Sequence, residues 1–190
     1  TATQIDALTW DLSVLLRGRR GTEWATNTHA TSERVVVLSA STLRRVASST
    51  ADIGVPHHYK AVTLGHPLSK SFIQGFANKA KGLYPYAPDH VRGTRDAGNN
   101  LTITWVRRAR VGGEWRDLVD AALVDTPESY EIDVFFDLTV VRVLTTSNST
   151  VTYTAAEQSA DGYFPGDPIL VAIYQLNAMV GRGFQRLVSL

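Results

Sequence analysis

Leu101-Thr-Ile-Thr-Trp-Val106 and Ser129-Tyr-Glu-Ile-Asp-Val134 decide the fold, because in both an apolar residue alternates with a polar one. A period of two residues is the mark of a strand with one buried and one wet face. Working outward from them, the same reading predicts strands over 89–94, 101–107, 129–136, 139–145, 150–155, 169–177 and 184–190. Seven short strands separated by turns fit an antiparallel β-sandwich. Trp105 is its expected core anchor. Asn99-Asn100 supplies a turn, Gly112-Gly113 a loop or edge hairpin over 107–115, and Asp161-Gly-Tyr-Phe-Pro-Gly166 another turn. Residues 117–128, with Pro127, read as surface.

Upstream the pattern is weaker. Thr9 is placed to cap a helix over 10–17, in which Leu12, Leu15 and Leu16 would share a face and Gly18 would end it. Residues 35–38, 59–64 and 71–76 read as short strands. Gly82-Leu-Tyr-Pro-Tyr-Ala-Pro88 reads as a stiff linker, since each proline fixes φ and biases its predecessor toward extended backbone. The expected organisation is a mostly β chain. It has a small α+β or β-rich domain with a short N-terminal helix over 1–84 and a sandwich over 85–190. Charge divides in the same place. Residues 1–85 carry ten Lys/Arg against five Asp/Glu, and residues 86–190 carry nine against thirteen.

The 190 residues, 44% of them hydrophobic, are enough for packed cores. There is no Cys, which excludes disulfides, Cys-based zinc sites and thiol redox chemistry. No apolar run approaches the roughly 18 residues of a membrane helix, and no signal-peptide layout opens the chain, so a soluble protein without a membrane span is expected. The chain starts at Thr1 and not at Met, and a longer upstream polypeptide is expected.

Pro88-x-x-Val91, Leu101-Thr-Ile-Thr-Trp105, Ser129-Tyr-Glu-Ile-Asp133 and Val171-x-Ile173-x-Gln-x-Asn177 together resemble fibronectin type III domains. One departure is Ile169, which stands where such domains often carry a corner Tyr. Leu15-Leu-Arg-Gly-Arg-Arg-Gly-Thr-Glu-Trp24, Lys60-Ala-Val-Thr-Leu64, His90-Val-Arg-Gly93 and Thr102-Ile-Thr-Trp-Val-Arg-Arg108 resemble the C-terminal region of tail-tip baseplate hub ("megatron") proteins. These belong to gene transfer agents and long-tailed phages. The resemblance implies a virion protein at the distal tail tip that contacts other tail-tip proteins and a host-surface glycan or protein, as part of a homotrimer. It places enzymatic activity in other domains.

The residues themselves supply no catalytic constellation, and neither enzymatic activity nor a cofactor is expected. His57, His58 and His66 lack the partners of a metal site, and adjacent strand residues face opposite ways. Glu131 and Asp133 share a strand face about 7 Å apart, but a glycosidase pair also needs a sugar cleft and a raised pKa. Arg17-Gly-Arg-Arg20 and Arg107-Arg-Ala-Arg110 are too short for a nucleic-acid footprint and read as solvated, or as paired with a neighbouring subunit's carboxylates. Asn100-Leu-Thr102 and Asn148-Ser-Thr150 match glycosylation sequons, a short pattern without meaning in a bacterial virus. The candidate interface residues are Arg17, Arg19, Arg20 and Trp24, an arginine-plus-aromatic set, with the loop aromatics Trp115, Tyr163 and Phe164. For Tyr163 and Phe164 the alternative is that their rings cap the sandwich core. The alternative function is an accessory carbohydrate-binding or spacer module of a secreted polysaccharide hydrolase.

Overall fold

The computed structural model describes all residues except Arg20, Thr28, Thr42, Trp115 and Arg116. It divides into two compact units, Thr1–Glu33 together with Pro85–Leu190, and Arg34–Tyr84. The first 33 residues therefore group with the sandwich and not with residues 34–84.

The chain opens with a hairpin of β1 (Ala2–Gln4) and β2 (Trp10–Leu12), paired Thr3 to Asp11. A helix over 10–17 does not form. The Asp6 carboxylate accepts from the backbone N–H groups of Leu8 and Thr9, both at 2.8 Å, and this side-chain turn folds the segment back as a strand. Within Arg34–Tyr84, β3 (Pro56–Tyr59) pairs with β4 (Gln74–Ala77), His57 opposite Phe76. The strands expected over 59–64 and 71–76 thus lie earlier and later in the chain. Residues 35–38 form no strand and are exposed, pairing with no other segment among the described residues.

The remaining strands build the sandwich. One sheet orders β5 (Asp89–Arg95), β6 (Leu101–Val106) and β9 (Thr150–Tyr153) as β5-β6-β9. The other contains β7 (Tyr130–Phe136), β8 (Thr139–Thr146), β10 (Leu170–Asn177), β11 (Gly181–Arg182) and β12 (Arg186–Ser189). Its order is β11-β10-β7-β8, with β12 pairing the same edge of β10 farther along. This three-plus-five arrangement of antiparallel strands, in which the short β11 and β12 share one edge of β10, is a fibronectin type III-like sandwich. The core is the inward set of both sheets. Leu101, Ile103, Trp105 and Tyr153 come from one, and Tyr130, Ile132, Val134, Val171 and Ile173 from the other. Trp105 meets Tyr130 edge-on at 5.0 Å, a favourable aromatic geometry. No strand forms over 107–114.

The strand expected over 150–155 ends at Tyr153, and α1 (Ala155–Ala160) follows. Thr154 and Glu157 cap it reciprocally, each side chain taking the other's backbone N–H. Buried Gln158 then ties the helix down. Its amide donates to Asn99 O at 3.0 Å and Tyr153 O at 2.8 Å, and its carbonyl accepts from Arg95 at 2.7 Å. In the other sheet, directly after β11, Gly183 is required by close backbone approach, since a Cβ there would stand 2.5 Å from Pro85 O. That approach lets Gly183 N–H reach Gln175 O and Phe184 N–H reach Pro85 O, both at 2.9 Å.

Candidate interaction surface

The segment carrying the first arginine cluster is shaped by two left-handed glycines, Gly18 and Gly21. Gly21 is buried under Tyr86, where a Cβ would meet the ring at 2.5 Å. A short 3-10 turn, Glu23–Ala25, follows and sets Trp24 nearly parallel to Phe184, ring centroids 6.2 Å apart and planes 17° from one another. Glu23 pairs with Arg108 at 2.5 Å, and the Arg108 guanidinium lies 5.4 Å over Tyr86. Glu23, Trp24, Arg108 and Phe184 border a cleft of about 560 Å³ whose other walls include Pro88, Asp89, Gln185 and Arg186. Trp24 is 55% exposed. Arg17 and Arg19 are exposed, while Arg20 and Trp115 lie outside the described residues.

The second arginine cluster is internal bracing. Arg107 bonds Ala121 O at 2.8 Å and pairs with Asp120 at 2.7 Å and Glu128 at 3.3 Å. Arg110 pairs at 2.7 Å with buried Asp125, which also accepts from Asn177 at 2.7 Å. The carboxylates come from the same chain: the arginines hold the stretch from 107 to 128 together, and Asp125 and Glu128 link it to the sandwich by accepting from Asn177 and from the Tyr130 hydroxyl.

The two loop aromatics part company. Tyr163 is a core residue, not an exposed contact. Its hydroxyl donates to Phe135 O, and its ring packs edge-on against Phe136 at 5.2 Å. Phe164, next in sequence, is 75% exposed. The linker tyrosines Tyr84 and Tyr86 are half-buried.

The carboxylate pair is also occupied. Arg182 reaches across the outer sheet face from β11 and bonds Glu131 at 2.6 Å and both oxygens of Asp133 at 2.7 and 2.8 Å. Its guanidinium rests 4.5 Å over the Tyr174 ring. A clamped pair has no room for a water nucleophile or a sugar ring between its members. A second carboxylate, Asp161, accepts from Arg142 at 2.6 and 3.0 Å and from Tyr153 at 2.7 Å. Burial pushes its carboxyl upward, but these donors outweigh burial and hold it below the usual carboxylate range. The Tyr153 hydroxyl is pushed up by burial and by Asp161.

His57 stands 3.5 Å from Asp52, and among the described residues no three His, Asp or Glu gather as metal ligands would. Among the same residues no helix is long and apolar enough to cross a membrane. Residues that sequence reasoning missed are Arg182, Arg142 and Asp161. Only Arg182 carried a local signal, its place between Gly181 and Gly183 directly after an apolar run.

Residues 1–36 match the family model described as Rcc01698-like, C-terminal, a family of the gene transfer agent and phage-like type. No curated protein matches the chain. Among solved structures, the rat CD45 extracellular region, domains d3-d4, is similar at 12% identity and TM-score 0.42, over 85% of this chain and 76% of that one. The Clostridium perfringens spore cortex lytic enzyme SleM is similar at 15% identity and TM-score 0.35, over 63% of this chain and 32% of that one.

Proposed function

We propose that the chain is a non-catalytic structural module of a phage-like tail tip, taking part in hub assembly and in contact with the host surface within a homotrimer of the virion. The match of residues 1–36 to a family of that type supports the reading. The observation that carries it is physical. Among the described residues of Arg34–Tyr84 none is buried, although the unit presents Val35, Val37, Leu64, Phe72 and Phe76 to solvent, Leu64 at 99% and Phe72 at 94%.

A segment of this size that buries no side chain cannot offset the conformational entropy of ordering its backbone. Monomeric proteins rarely leave so many large apolar groups in water, and a subunit of an assembly has neighbours to cover them. The same residues carry seven Lys/Arg against one acid, Asp52. A neighbour with an acidic rim and an apolar centre complements such a surface, which favours another tail-tip protein over nucleic acid.

The experiment is immuno-electron microscopy of purified particles with an antibody raised against this chain, together with a turnover screen for hydrolase activity. Label confined to one tail end and no turnover is the expected pair of results. Absence of the chain from particles, or saturable turnover by the purified chain, overturns the reading.

A further inference from the structure

We propose that the groove at the β7–β8 turn binds the basic, apolar loop of residues 60–73 from a second copy of this chain. The proposal rests on the tail-tip reading above and names one of the neighbours that cover residues 34–84.

The groove measures about 430 Å³. Phe135, Phe136, Leu138 and Leu170 give it apolar walls, and Asp137 and Asp167 stand among them. The carboxylate of exposed Asp137 has no hydrogen bond or ion pair among the described residues, and that of Asp167 accepts from the Phe164 backbone N–H at 2.8 Å. Burial and the charges of Asp161, Asp137 and Asp167 push the Tyr163 hydroxyl up, the mark of a negative field at this end of the sandwich.

The turn itself is built against its own stability. Phe136 pairs with Thr139, so Asp137 and Leu138 alone make the connection, both left-handed at φ 46° and 64°. Turns of this kind favour Gly at the second place, because a side chain is strained there. Leucine therefore suits neither the backbone nor, at 83% exposed, the solvent. Both disadvantages are offset when the side chain is an anchor that a partner covers.

Charge selects the partner. Thr1–Glu33 with Pro85–Leu190 carries twelve Lys/Arg against seventeen Asp/Glu, a net −5, while residues 34–84 carry seven against one, a net +6, which together make the +1 of the chain. Two units of opposite sign in one chain are complementary between two copies. The loop between β3 and β4 offers what the groove lacks. It holds Lys60 and Lys70 and no acid, and it exposes Leu64 and Phe72 almost fully. A contact between two different patches is heterologous, and it closes into a ring of copies when its rotation allows.

The test is sedimentation velocity of the full chain at low salt from about 1 to about 200 µM. Circular dichroism reports whether each variant folds. The expected result is concentration-dependent assembly with a Kd of about 100 µM or tighter. Leu138→Gly, which suits the turn and so keeps the fold, weakens assembly about fivefold or more, and Phe72→Ser does the same. Asp137→Lys and Lys70→Glu each weaken it, and the two combined in one chain recover part of the loss, because the pair is then reversed and not removed. A monomer at every concentration hands the groove to a different protein and overturns the proposal. So does assembly indifferent to Leu138→Gly, or a double charge variant no better than the weaker single one. Its failure is separable from failure of the tail-tip reading, since self-association is measured in solution and incorporation by label on particles.

Discussion

Arg182→Ala is the sharpest perturbation of the sandwich, because it removes one side chain that holds two carboxylates. The Asp133 side chain is only 6% exposed and receives two of its bonds from Arg182. Hydrogen bonds to charged groups contribute about 1.5–3 kcal/mol each. Arg182 itself is 39% exposed, so solvent screening cuts the pair to roughly half that sum, about 1.5–3 kcal/mol. Most of the loss comes from leaving Asp133 buried without its cation. It follows that Arg182→Ala combined with Asp133→Val is more stable than Arg182→Ala alone, since the second change removes the orphaned charge and places a strand-forming residue beside Ala172. In urea, with a slope of about 1–3 kcal/mol per molar, the single variant's midpoint falls by about 0.5–3 M and the double variant recovers about half of that. A single variant within about 0.3 M of wild type, or a double variant no more stable than the single, refutes the clamp.

Two further outcomes follow from the same packing. The folded Asp161 carboxyl lies below its unfolded value, so its ionised form stabilises the fold above the unfolded carboxylate range, near pH 4, and that contribution is lost as pH falls through the folded value. Asp161→Asn should therefore lower the thermal midpoint at neutral pH and flatten its acid limb, the two curves converging at the acid end; parallel curves would contradict the assignment. Tyr163→Ala should cost about 3 kcal/mol by emptying a core site, while Phe164→Ala stays within about 0.5 kcal/mol in thermal unfolding; similar losses for both would show that the two rings are not divided between core and surface.

The sandwich was legible in the sequence because its strands are half-buried, and half-burial writes itself as alternation. Leu101, Ile103 and Trp105 face inward, as do Tyr130, Ile132 and Val134, and those six residues are enough to find two sheets. What alternation cannot say is what covers the other face. Glu131 and Asp133 look like a solvent-facing pair in sequence, and only the return of the chain at β11 puts a guanidinium on them. The same limit hid the Arg142–Asp161–Tyr153 network, whose members sit on or beside three different elements and meet only after β8, β9 and α1 are assembled. Tyr163 misled for a different reason. Its Gly and Pro neighbours mark a turn, and a turn does not reveal which of two consecutive rings points inward.

Residues 1–84 were read less well, and the reason bears on function. Local pattern wins when a segment buries its own apolar face, as β6 does, because the periodicity then reflects a core made within the chain. Val35-Val-Val-Leu38 has the composition of a buried strand but finds no edge and no cover among the described residues, and Phe72 and Leu64 are in the same position. A sequence selected to pack against another protein carries apolar residues whose spacing is set by that partner's surface and not by a helix or strand period of its own. On the tail-tip reading proposed above, the segment that sequence reading resolves worst is the one whose environment lies mostly outside the chain. The basic excess of residues 34–84 points the same way. Seven cations with one acid repel one another when the unit stands alone and gain most when an acidic surface is brought to them.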